Sequence, residues 1–352
     1  MDFKLGELFC GPGGMGLGAT ESSILVNGIK FSITHCWAND YDESSCETYR
    51  SNISRVHPES VIHCDVKKLD INSLEKIDAF AYGFPCNDFS LVGEQKGLNG
   101  KFGGLYTYGI QVINKMNPKF IVAENVGGLS SSNEGKAFRM ICNELEASGD
   151  HGYELTVHKY KAEEYGIAQK RHRIIMVGIR KDLKLKFHVP KPTTKDAHVS
   201  VKEALENPPI LSTDFNHEFT KQSKTVIERL SHIKPGQNVW NADLPEHLKL
   251  NVKGAKLSQI YRRLNADQPS YTITGSGGGG THGYHYKELR ALTNRERARI
   301  QSFPDNFIFQ GSKENVRKQI GMAVPPALAK IIFTAILNTF AGKPYDSIEP
   351  NL

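Results

Sequence analysis

Residues 4–18, KLGELFCGPGGMGLG, contain an apolar run of β type that leads directly into a stretch rich in glycine. Five glycines lie within residues 11–18, where they allow a tight turn and a close approach of the backbone to a ligand. A helix that begins at such a turn presents its amino end to an anionic group. Gly11, Gly13 and Gly16 also satisfy the G-x-G-x-x-G pattern, which alone is a weak signal for a dinucleotide. The stretch predicts the first strand, turn and helix of an α/β sheet with a cofactor at its edge.

The same alternation continues along the chain. Short β-rich runs alternate with stretches of helical character from residue 3 to residue 180, which is the pattern of a doubly wound, Rossmann-like parallel sheet. We therefore expect one α/β domain over residues 1–180 and a small, separate domain over the irregular residues 181–287. Residues 288–352 are expected to return to the first domain. The predicted strands are KLGELF, SITHCWA, SVIHC, IDAFAYG, KFIVAEN and RIIMVGI.

The composition is that of a soluble globular protein, with 352 residues of which 39% are hydrophobic and 23% are charged. The amino terminus lacks a basic region followed by a long apolar stretch, and no run of about 18 apolar residues suggests a membrane span. We therefore expect a cytoplasmic protein without a membrane partner. The six cysteines show no C-x-x-C pair and no His/Cys ligand spacing, so neither a metal site nor a disulfide framework is indicated.

The positive charge is concentrated in one internal segment. Residues 181–287 hold 16 basic and 10 acidic residues, whereas the remainder of the chain holds 28 of each. A solvated basic face is one explanation, and binding of phosphate groups is the other. Charge alone does not choose between them.

Carboxylates follow the second and third predicted strands, at the sheet edge where ligands collect in α/β proteins. Asp40, next to Tyr41, suits the two hydroxyls of a ribose. Asp65 can bond an adenine amino group while Val66 packs on the ring. These residues point to the adenosine part of either NAD or S-adenosylmethionine. The alternative is that the acids only cap helices.

A cysteine and a carboxyl group end two further predicted strands. Cys86 follows Pro85 just beyond IDAFAYG, and Glu124 ends KFIVAEN, so both side chains are expected at one edge of the sheet. Arg171 and Arg173 come where RIIMVGI begins, and alternate residues of a strand point to one face. A lone cysteine is more often a buried apolar residue than a nucleophile, and arginines at strand ends are commonly solvated. Their convergence, however, predicts a reactive pocket.

Eight motifs taken together resemble those of the DNA cytosine-5 methyltransferases in order and approximate spacing. By this resemblance the chain looks like a prokaryotic modification enzyme with the Rossmann-like class I fold of S-adenosylmethionine-dependent methyltransferases. The resemblance covers nearly the whole chain outside residues 181–287. The motifs are ELFCGPGGMGLG, NDYD, CDV, GFPCNDFS, ENV, QKRHR, LTNRERARIQSFPD and GMAVPP.

The resemblance implies a covalent mechanism in which Cys86, as its thiolate, adds to carbon 6 of a cytosine. Glu124 would hold the ring at N3 and at the exocyclic amine, while Arg171 and Arg173 would fix O2 and steady Glu124. S-adenosylmethionine would supply the methyl group to carbon 5, and no metal is needed. Because a thiol cannot reach carbon 6 inside a duplex, the target base would be flipped out.

The resemblance also implies where the cofactor lies. Its adenosine and methionine parts would occupy the edge formed by the glycine turn and the following strand ends, closed by a segment near the C-terminus. The residues expected to line this pocket are Phe9, Gly11, Gly13, Gly14, Asp40, Tyr41, Asp65, Val66, Pro85, Ala323 and Val324.

DNA contacts are expected from two regions. Residues 181–287 would form a small, irregular, mostly β target recognition domain, and residues 90–105 would form a mobile loop that closes over DNA. In such a domain lysines mainly position phosphates, and other polar side chains read base edges. The residues expected to contact DNA are Ser90, Arg262, Arg263 and Thr272.

The expected partner is double-stranded DNA, bound by a monomer, and the modification type implies a cognate restriction endonuclease that acts separately. Two residues depart from the family pattern. Many relatives carry Gln where this chain has Asn87, and many carry Asn where it has Met322. These departures concern the contacts that accompany base flipping and those to the target sugar, not the reacting residues.

Three other functions agree with parts of the sequence. A nicotinamide-dependent oxidoreductase would explain the glycine turn but not Cys86, Glu124 and Arg173 together. A tRNA methyltransferase of the same superfamily would share the chemistry, but the size of the basic segment and the lack of an added RNA-binding module favour duplex DNA. A catalytically silent DNA-binding protein is disfavoured because every reacting residue is present.

Overall fold

The computed structural model describes residues 1–85, 104–128, 135–251, 257–278 and 280–352. The chain forms two compact units. The first comprises Met1–Lys161, His172–Pro192 and Pro326–Leu352, and the second comprises Ala162–Arg171 and Thr193–Pro325.

This division differs from the predicted one at both boundaries. Residues 162–171 belong to the second unit and residues 181–192 to the first, so the change of unit does not fall at residue 180. Residues 288–325 belong to the second unit, and only the last 27 residues, Pro326–Leu352, return to the first. The physical reason is that the helices of residues 294–300 and 313–322 pack on each other, and the former packs on the helix of residues 201–206, so they share one core.

The strands of the described residues form one large sheet and one small one. The strands are β1 (Asp2–Leu8), β2 (Ser23–Val26), β3 (Ile29–Asp40), β4 (Val61–His63), β5 (Ala79–Gly83), β6 (Phe120–Val126), β7 (Tyr153–Lys161), β8 (His172–Arg180), β9 (Val189–Pro190) and β10 (Ser347–Ile348). The large sheet has the order β2-β3-β1-β5-β6-β8-β7, with β4 paired to β3, and the small sheet pairs β9 with β10.

The helices of the described residues are α1 (Gly14–Thr20), α2 (Glu43–Asn52), α3 (Tyr106–Met116), α4 (Lys136–Ala147), α5 (Val201–Glu206), α6 (Lys224–Ser231), α7 (Asn294–Ile300), α8 (Lys313–Met322) and α9 (Pro326–Phe340). Five helices, α2, α5, α6, α7 and α8, begin at a side chain that accepts from a free backbone N–H group. Asp42, for example, accepts from the backbone N–H of Ser45, and Thr293 forms a reciprocal capping box with Glu296.

The predicted doubly wound α/β architecture is confirmed, and the six predicted strands correspond to β1, β3, β4, β5, β6 and β8. Strands β1, β3, β4, β5 and β6 run parallel to one another, as expected. The sequence analysis missed β2 and β7, and it did not foresee that β8 runs antiparallel to both β6 and β7. Strand β2 is a short edge strand with partly exposed residues, and neither strand carries a continuous apolar run of the kind that marks a buried parallel strand.

The pairing register brings the functional segments to one edge of the large sheet. Leu8 at the end of β1 pairs with Asn39 of β3 on one side and with Tyr82 of β5 on the other. Gly83 at the end of β5 pairs with Glu124 of β6. The glycine turn, the end of β3, the end of β5 and the end of β6 therefore all emerge at the carboxyl edge of the parallel strands.

Helix α9 closes the first unit. The stretch Lys313–Phe340 is long and apolar enough, by length and composition alone, to cross a membrane. It is interrupted, however, because α8 ends at Met322 and Ala323 has extended dihedral angles. Eight side chains of α9 are buried, and α9 packs on α1 and β2, so this helix is accounted for as a core element.

The second unit has little regular β structure in its described residues. Its named elements include the helices α5, α6, α7 and α8, whereas its β pairing consists of isolated bridges such as Gln169 with Ser270. The prediction of a mostly β domain was therefore wrong for the described part of this unit. Three apolar residues, Leu230, Ile233 and Leu248, are wholly buried in a core of its own.

The close packing of α1 on α9 can be tested at Gly18. A Cβ atom at this position would lie 2.6 Å from the backbone nitrogen of Lys330 and 2.6 Å from the carbonyl oxygen of Pro326. Because backbone atoms cannot rotate away, we expect Gly18→Ala to lower the free energy of unfolding by about 1–3 kcal/mol. Urea unfolding followed by circular dichroism would measure this.

Gly128→Ala is the matched control, since a Cβ atom there meets nothing within 4 Å. Equal stability changes in the two variants would contradict the close packing of α1 on α9.

Candidate active site

The glycine turn after β1 is held in an unusual backbone conformation. Gly11 and Gly13 have φ angles of 53° and 97°, and Phe9, which is not a glycine, has a φ angle of 54°. A bulky residue with positive φ is uncommon and costs conformational energy. Asp40 fixes the turn from β3, because its Oδ2 accepts from the N–H of Gly11 at 2.8 Å and its Oδ1 from the N–H of Asp42 at 2.9 Å.

Asp40 is itself nearly buried, with 8% exposure. Burial raises the pKa of its carboxyl group, and the hydrogen bonds from the N–H groups of Asp42 and Gly11 act in the opposite direction. A carboxylate has about four acceptor positions. The N–H groups of Gly11 and Asp42 use two of these positions, and the binding of ribose hydroxyls by Asp40 stays a prediction.

The other predicted cofactor residues of the first unit lie near this edge with different exposures. The Tyr41 ring is 73% exposed beside Asp40, and no atom lies within 4 Å of a Cβ position on Gly11. Asp65 is exposed and accepts from the N–H of Lys67. Val66 is 5% exposed and packs in an apolar cluster that also contains Trp37. Gly14 is buried as the first residue of α1, and Pro85 is partly buried.

Glu124 and Arg173 form an ion pair at the carboxyl edge. Arg173 Nε lies 2.8 Å from Glu124 Oε1, and both side chains are only about one-tenth exposed, at 11% and 12%. Arg173 can reach this edge because β8 is antiparallel, so that its amino end pairs with Val126 at the carboxyl end of β6. Burial lowers the pKa of the Arg173 guanidinium, while the Glu124 carboxylate raises it.

The end of β5 lies directly under this ion pair. A Cβ atom on Gly83 would lie 3.1 Å from Glu124 Oε2 and 3.7 Å from the terminal methyl carbon of Met15 in α1. The Glu124 carboxylate therefore lies next to both the end of β5 and the helix that follows the glycine turn. Asn125 Nδ2 donates to the carbonyl oxygen of Phe84 at 2.9 Å, which fixes the chain as it leaves β5.

Cys86, the predicted nucleophile, lies outside the described residues, as do Ser90, Asn87 and most of the predicted loop 90–105. Pro85 immediately precedes Cys86 in the sequence and is the last described residue after β5. The nucleophilic role of Cys86 stays a prediction.

Arg171 and the C-terminal cofactor residues belong to the second unit. Arg171 is wholly buried, and its guanidinium donates to the carbonyl oxygens of Ile273 and Gly321 at 3.1 and 2.7 Å. These bonds join two segments of that unit, so Arg171 has a structural function there. Ala323 and Val324 are 7% and 6% exposed.

The residues of the second unit that are predicted to contact DNA differ in their burial and in their hydrogen-bond partners. Arg263 is 7% exposed, and its guanidinium donates to the carbonyl oxygens of His285 at 3.1 Å, Ile233 at 2.9 Å and Tyr286. Its position therefore does not support a contact with DNA. Arg262 lies over the ring of Tyr271, 4.6 Å from its centroid, and Thr272 donates to the carbonyl oxygen of Lys170.

A buried acid under the glycine turn was missed by the sequence analysis. Glu7 of β1 is wholly buried, and its Oε2 accepts from the hydroxyl of Tyr49 at 3.0 Å. Burial raises the pKa of Glu7 to about 8, with the Asp40 charge acting in the same direction. A charged residue inside an apolar run that predicts a buried strand was the available signal. Among the described residues, no cluster of His, Cys, Asp and Glu could hold a metal ion.

Glu7 makes the stability of the protein depend on pH. Its carboxyl group ionises at about pH 8 in the folded chain but near its ordinary value of 4.5 when unfolded, so the folded state binds more protons between these values. The wild type should therefore lose stability as the pH rises from 4.5 to 8. Relative to Glu7→Gln, which cannot ionise, we expect a loss of roughly a few kcal/mol.

Urea unfolding at several pH values would measure this difference. Parallel pH curves for the wild type and Glu7→Gln would show that Glu7 is ionised in the folded protein at neutral pH.

Comparison with known proteins agrees with this arrangement. The sequence profile of the C-5 cytosine-specific DNA methylases matches residues 3–338. The chain is 58% identical to the type II methyltransferase M.BbvI of Brevibacillus brevis over 99% of this chain and 94% of that protein. It is 37% identical to the type II methyltransferase M.NgoFVII of Neisseria gonorrhoeae over 98% of this chain and 89% of that protein.

The fold is also found in solved structures. A candidate DNA modification methyltransferase encoded within an Escherichia coli prophage matches with a TM-score of 0.72 and 23% identity, over 96% of this chain and 99% of that one. This likeness supports the Rossmann-like methyltransferase fold. Since the family profile and the relatives span nearly the whole chain, the protein belongs to the C-5 cytosine-specific DNA methylases and is a DNA (cytosine-5)-methyltransferase.

Proposed function

We propose that the protein transfers a methyl group from S-adenosylmethionine to carbon 5 of a flipped-out cytosine in a short, specific sequence of double-stranded DNA. The observation that carries the proposal is the nearly buried ion pair of Glu124 and Arg173 beside the end of β5. A carboxylate held by a guanidinium at this place can bind the polar edge of a pyrimidine ring. Pro85, next to Cys86, follows the same strand end.

The residues present fit S-adenosylmethionine. The open space at Gly11, the remaining acceptor positions of Asp40 and the exposed ring of Tyr41 suit the polar groups and the flat base of an adenosine. Asp65 and Val66 would bind the adenine edge and ring, as the family resemblance implies. The cofactor supplies an electrophilic methyl group on sulfur.

The nucleophile is proposed to be Cys86. Carbon 5 of cytosine is a poor nucleophile, so the Cys86 thiolate first adds to carbon 6 and makes the ring electron-rich at carbon 5. Carbon 5 would then take the methyl group from the cofactor, whose sulfur–methyl bond breaks to leave S-adenosylhomocysteine. The carbon 5 proton would leave to solvent, and its electron pair would expel the Cys86 thiolate, which restores the aromatic ring and the free enzyme.

Glu124 is proposed to stabilise the charge that develops during the addition. A proton shared between its carboxyl group and N3 of the ring neutralises the negative charge that the thiolate brings. Arg173 holds this carboxyl group through its Nε and carries further N–H donors for the O2 atom of the base. Since both side chains are almost excluded from water, their interaction with the base is stronger than it would be at the surface.

DNA recognition is proposed for the second unit, which contains most of the basic segment 181–287. Lysines there would neutralise phosphates, and Arg262 and Thr272 are the remaining described candidates for closer contacts. The similarity to type II methyltransferases supports the proposal that the enzyme modifies DNA within a restriction-modification system. We further propose that it acts as a monomer in the cytoplasm. A cognate endonuclease would act separately.

The covalent step can be tested at Cys86. We expect Cys86→Ala to abolish transfer of tritiated methyl groups to DNA while binding of S-adenosylmethionine is kept. DNA that carries 5-fluorocytosine at the target should trap a covalent complex with the wild type, because no proton can leave carbon 5. A trapped complex that also forms with Cys86→Ala would overturn the proposed nucleophile.

The role of Glu124 can be tested with Glu124→Gln, which keeps the size of the side chain. Because the amide cannot share its proton in the same way, we expect kcat to fall by about 10²- to 10⁴-fold. Glu21→Gln is the matched control, since it makes the same change in an exposed ion pair, 3.2 Å from Lys330. Similar activities of the two variants would exclude Glu124 from the reaction.

The substrate class is tested by bisulfite sequencing of DNA from cells that express the protein. We expect methylation confined to one short motif. Methylation of tRNA by the purified enzyme, with none of DNA, would replace this proposal by the tRNA alternative.

A further inference from the structure

Tyr49 of α2 lies at the centre of a buried polar network beneath the glycine turn. Its side chain has no exposed surface. The hydroxyl donates to Glu7 Oε2 at 3.0 Å and lies 3.2 Å from Nδ1 of His35. His35 Nε2 in turn lies 2.7 Å from the hydroxyl oxygen of Ser60. Tyr49 thus links the end of β1 to β3 and to the segment before β4.

The Tyr49 ring also fills the space that side chains at the glycine turn would need. A Cβ atom on Gly13 would lie 2.9 Å from Tyr49 Cδ2, which is closer than real Cβ contacts come. A Cβ atom on Gly16 would overlap the Tyr49 hydroxyl and would lie 2.7 Å from Glu7 Oε2. Gly13 and Gly16 therefore both pack on Tyr49, and Gly13 also packs on Ile53.

Glu7 is the second side chain that packs under the glycine turn, next to Gly16. Its carboxyl group accepts from the Tyr49 hydroxyl, and the backbone N–H of Gly16 is close enough to lower the pKa of that carboxyl group. The titratable groups that face it are Tyr49, Asp40 and Cys10, and none of them is a cation. A neutral carboxyl group in this place can keep the hydrogen bond from Tyr49 without an unpaired buried charge.

We propose that Tyr49 is a positioning residue for S-adenosylmethionine: with Glu7, it holds the turn from Gly11 to Gly16 in the shape that accepts the cofactor. This inference rests on the proposed function. Tyr49 does not need to touch the cofactor. Tyr49 acts by restricting the conformations of the glycine backbone. Less conformational entropy is then lost when the cofactor binds.

The test compares Tyr49→Phe with the wild type. The ring stays and only the hydroxyl is lost, so Glu7 and His35 each lose one partner while the packing against Gly13 remains. Since the hydroxyl's contacts with Glu7 and His35 are lost, we expect the Kd and KM for S-adenosylmethionine to rise roughly three- to tenfold. The kcat at saturating cofactor should change less than the KM, and the KM for DNA should not change.

Tyr153→Phe is the matched control. Tyr153 is also wholly buried, and its hydroxyl donates to the carbonyl oxygen of Pro118 at 2.7 Å. That bond lies at the amino edge of β6, away from the turn. The two variants should lose similar stability in urea, but only Tyr49→Phe should bind the cofactor more weakly.

A double variant separates positioning from general destabilisation. Gly16→Ala should weaken cofactor binding because its methyl group collides with the Tyr49 hydroxyl. Removing that hydroxyl in Gly16→Ala/Tyr49→Phe relieves the nearest collision, so the combined loss should be smaller than the product of the single losses. Calorimetric titration with S-adenosylmethionine would give all four Kd values.

The outcomes are distinguishable. Unchanged cofactor binding in Tyr49→Phe, or equal weakening in Tyr153→Phe, would overturn the positioning role while leaving the proposed function intact. A wild-type protein that does not bind S-adenosylmethionine would overturn both. Multiplicative losses in the double variant would show that Tyr49 and Gly16 act independently, contrary to the inference.

Discussion

The parallel pairing of β1, β3, β5 and β6 is the constraint on which the rest of the structure depends. In this register Leu8 pairs with both Asn39 and Tyr82, and Gly83 pairs with Glu124. Four segments far apart in sequence thereby end at the same edge. A shift of one residue in any pair would turn the side chains of that strand to the other face. The glycine turn and the carboxyl group of Glu124 would then no longer share one edge.

The buried carboxyl groups of Glu124 and Glu7, near this edge, differ in their partners. Glu124 is paired with Arg173 at 2.8 Å, whereas the described groups that face the wholly buried Glu7 include no cation, and burial raises the pKa of Glu7 to about 8. An unpaired buried carboxylate would be too costly, so Glu7 keeps its proton at neutral pH. One sheet edge can therefore hold a carboxyl group paired with a guanidinium for chemistry and a neutral one for support.

Much of this architecture could be predicted from the sequence, because continuous apolar runs mark buried parallel strands and the motifs fall at their ends. Glu124 and Arg173 were predicted together, and the structure pairs them. Arg263 could not be assigned, because a sequence does not show that an arginine is buried among carbonyl oxygens. Tyr49 was missed since its contact with Glu7 spans 42 residues and leaves no periodic signal.

The antiparallel direction of β8 has a consequence for the charge balance at this edge. Arg173 is the second residue of β8, where it pairs with Val126 of β6 on one side and with Tyr160 of β7 on the other. A parallel β8 would begin at the opposite edge of the sheet and would place these first residues far from Glu124. The reversal of a single strand thus supplies the cation for a nearly buried carboxyl group that belongs to another strand.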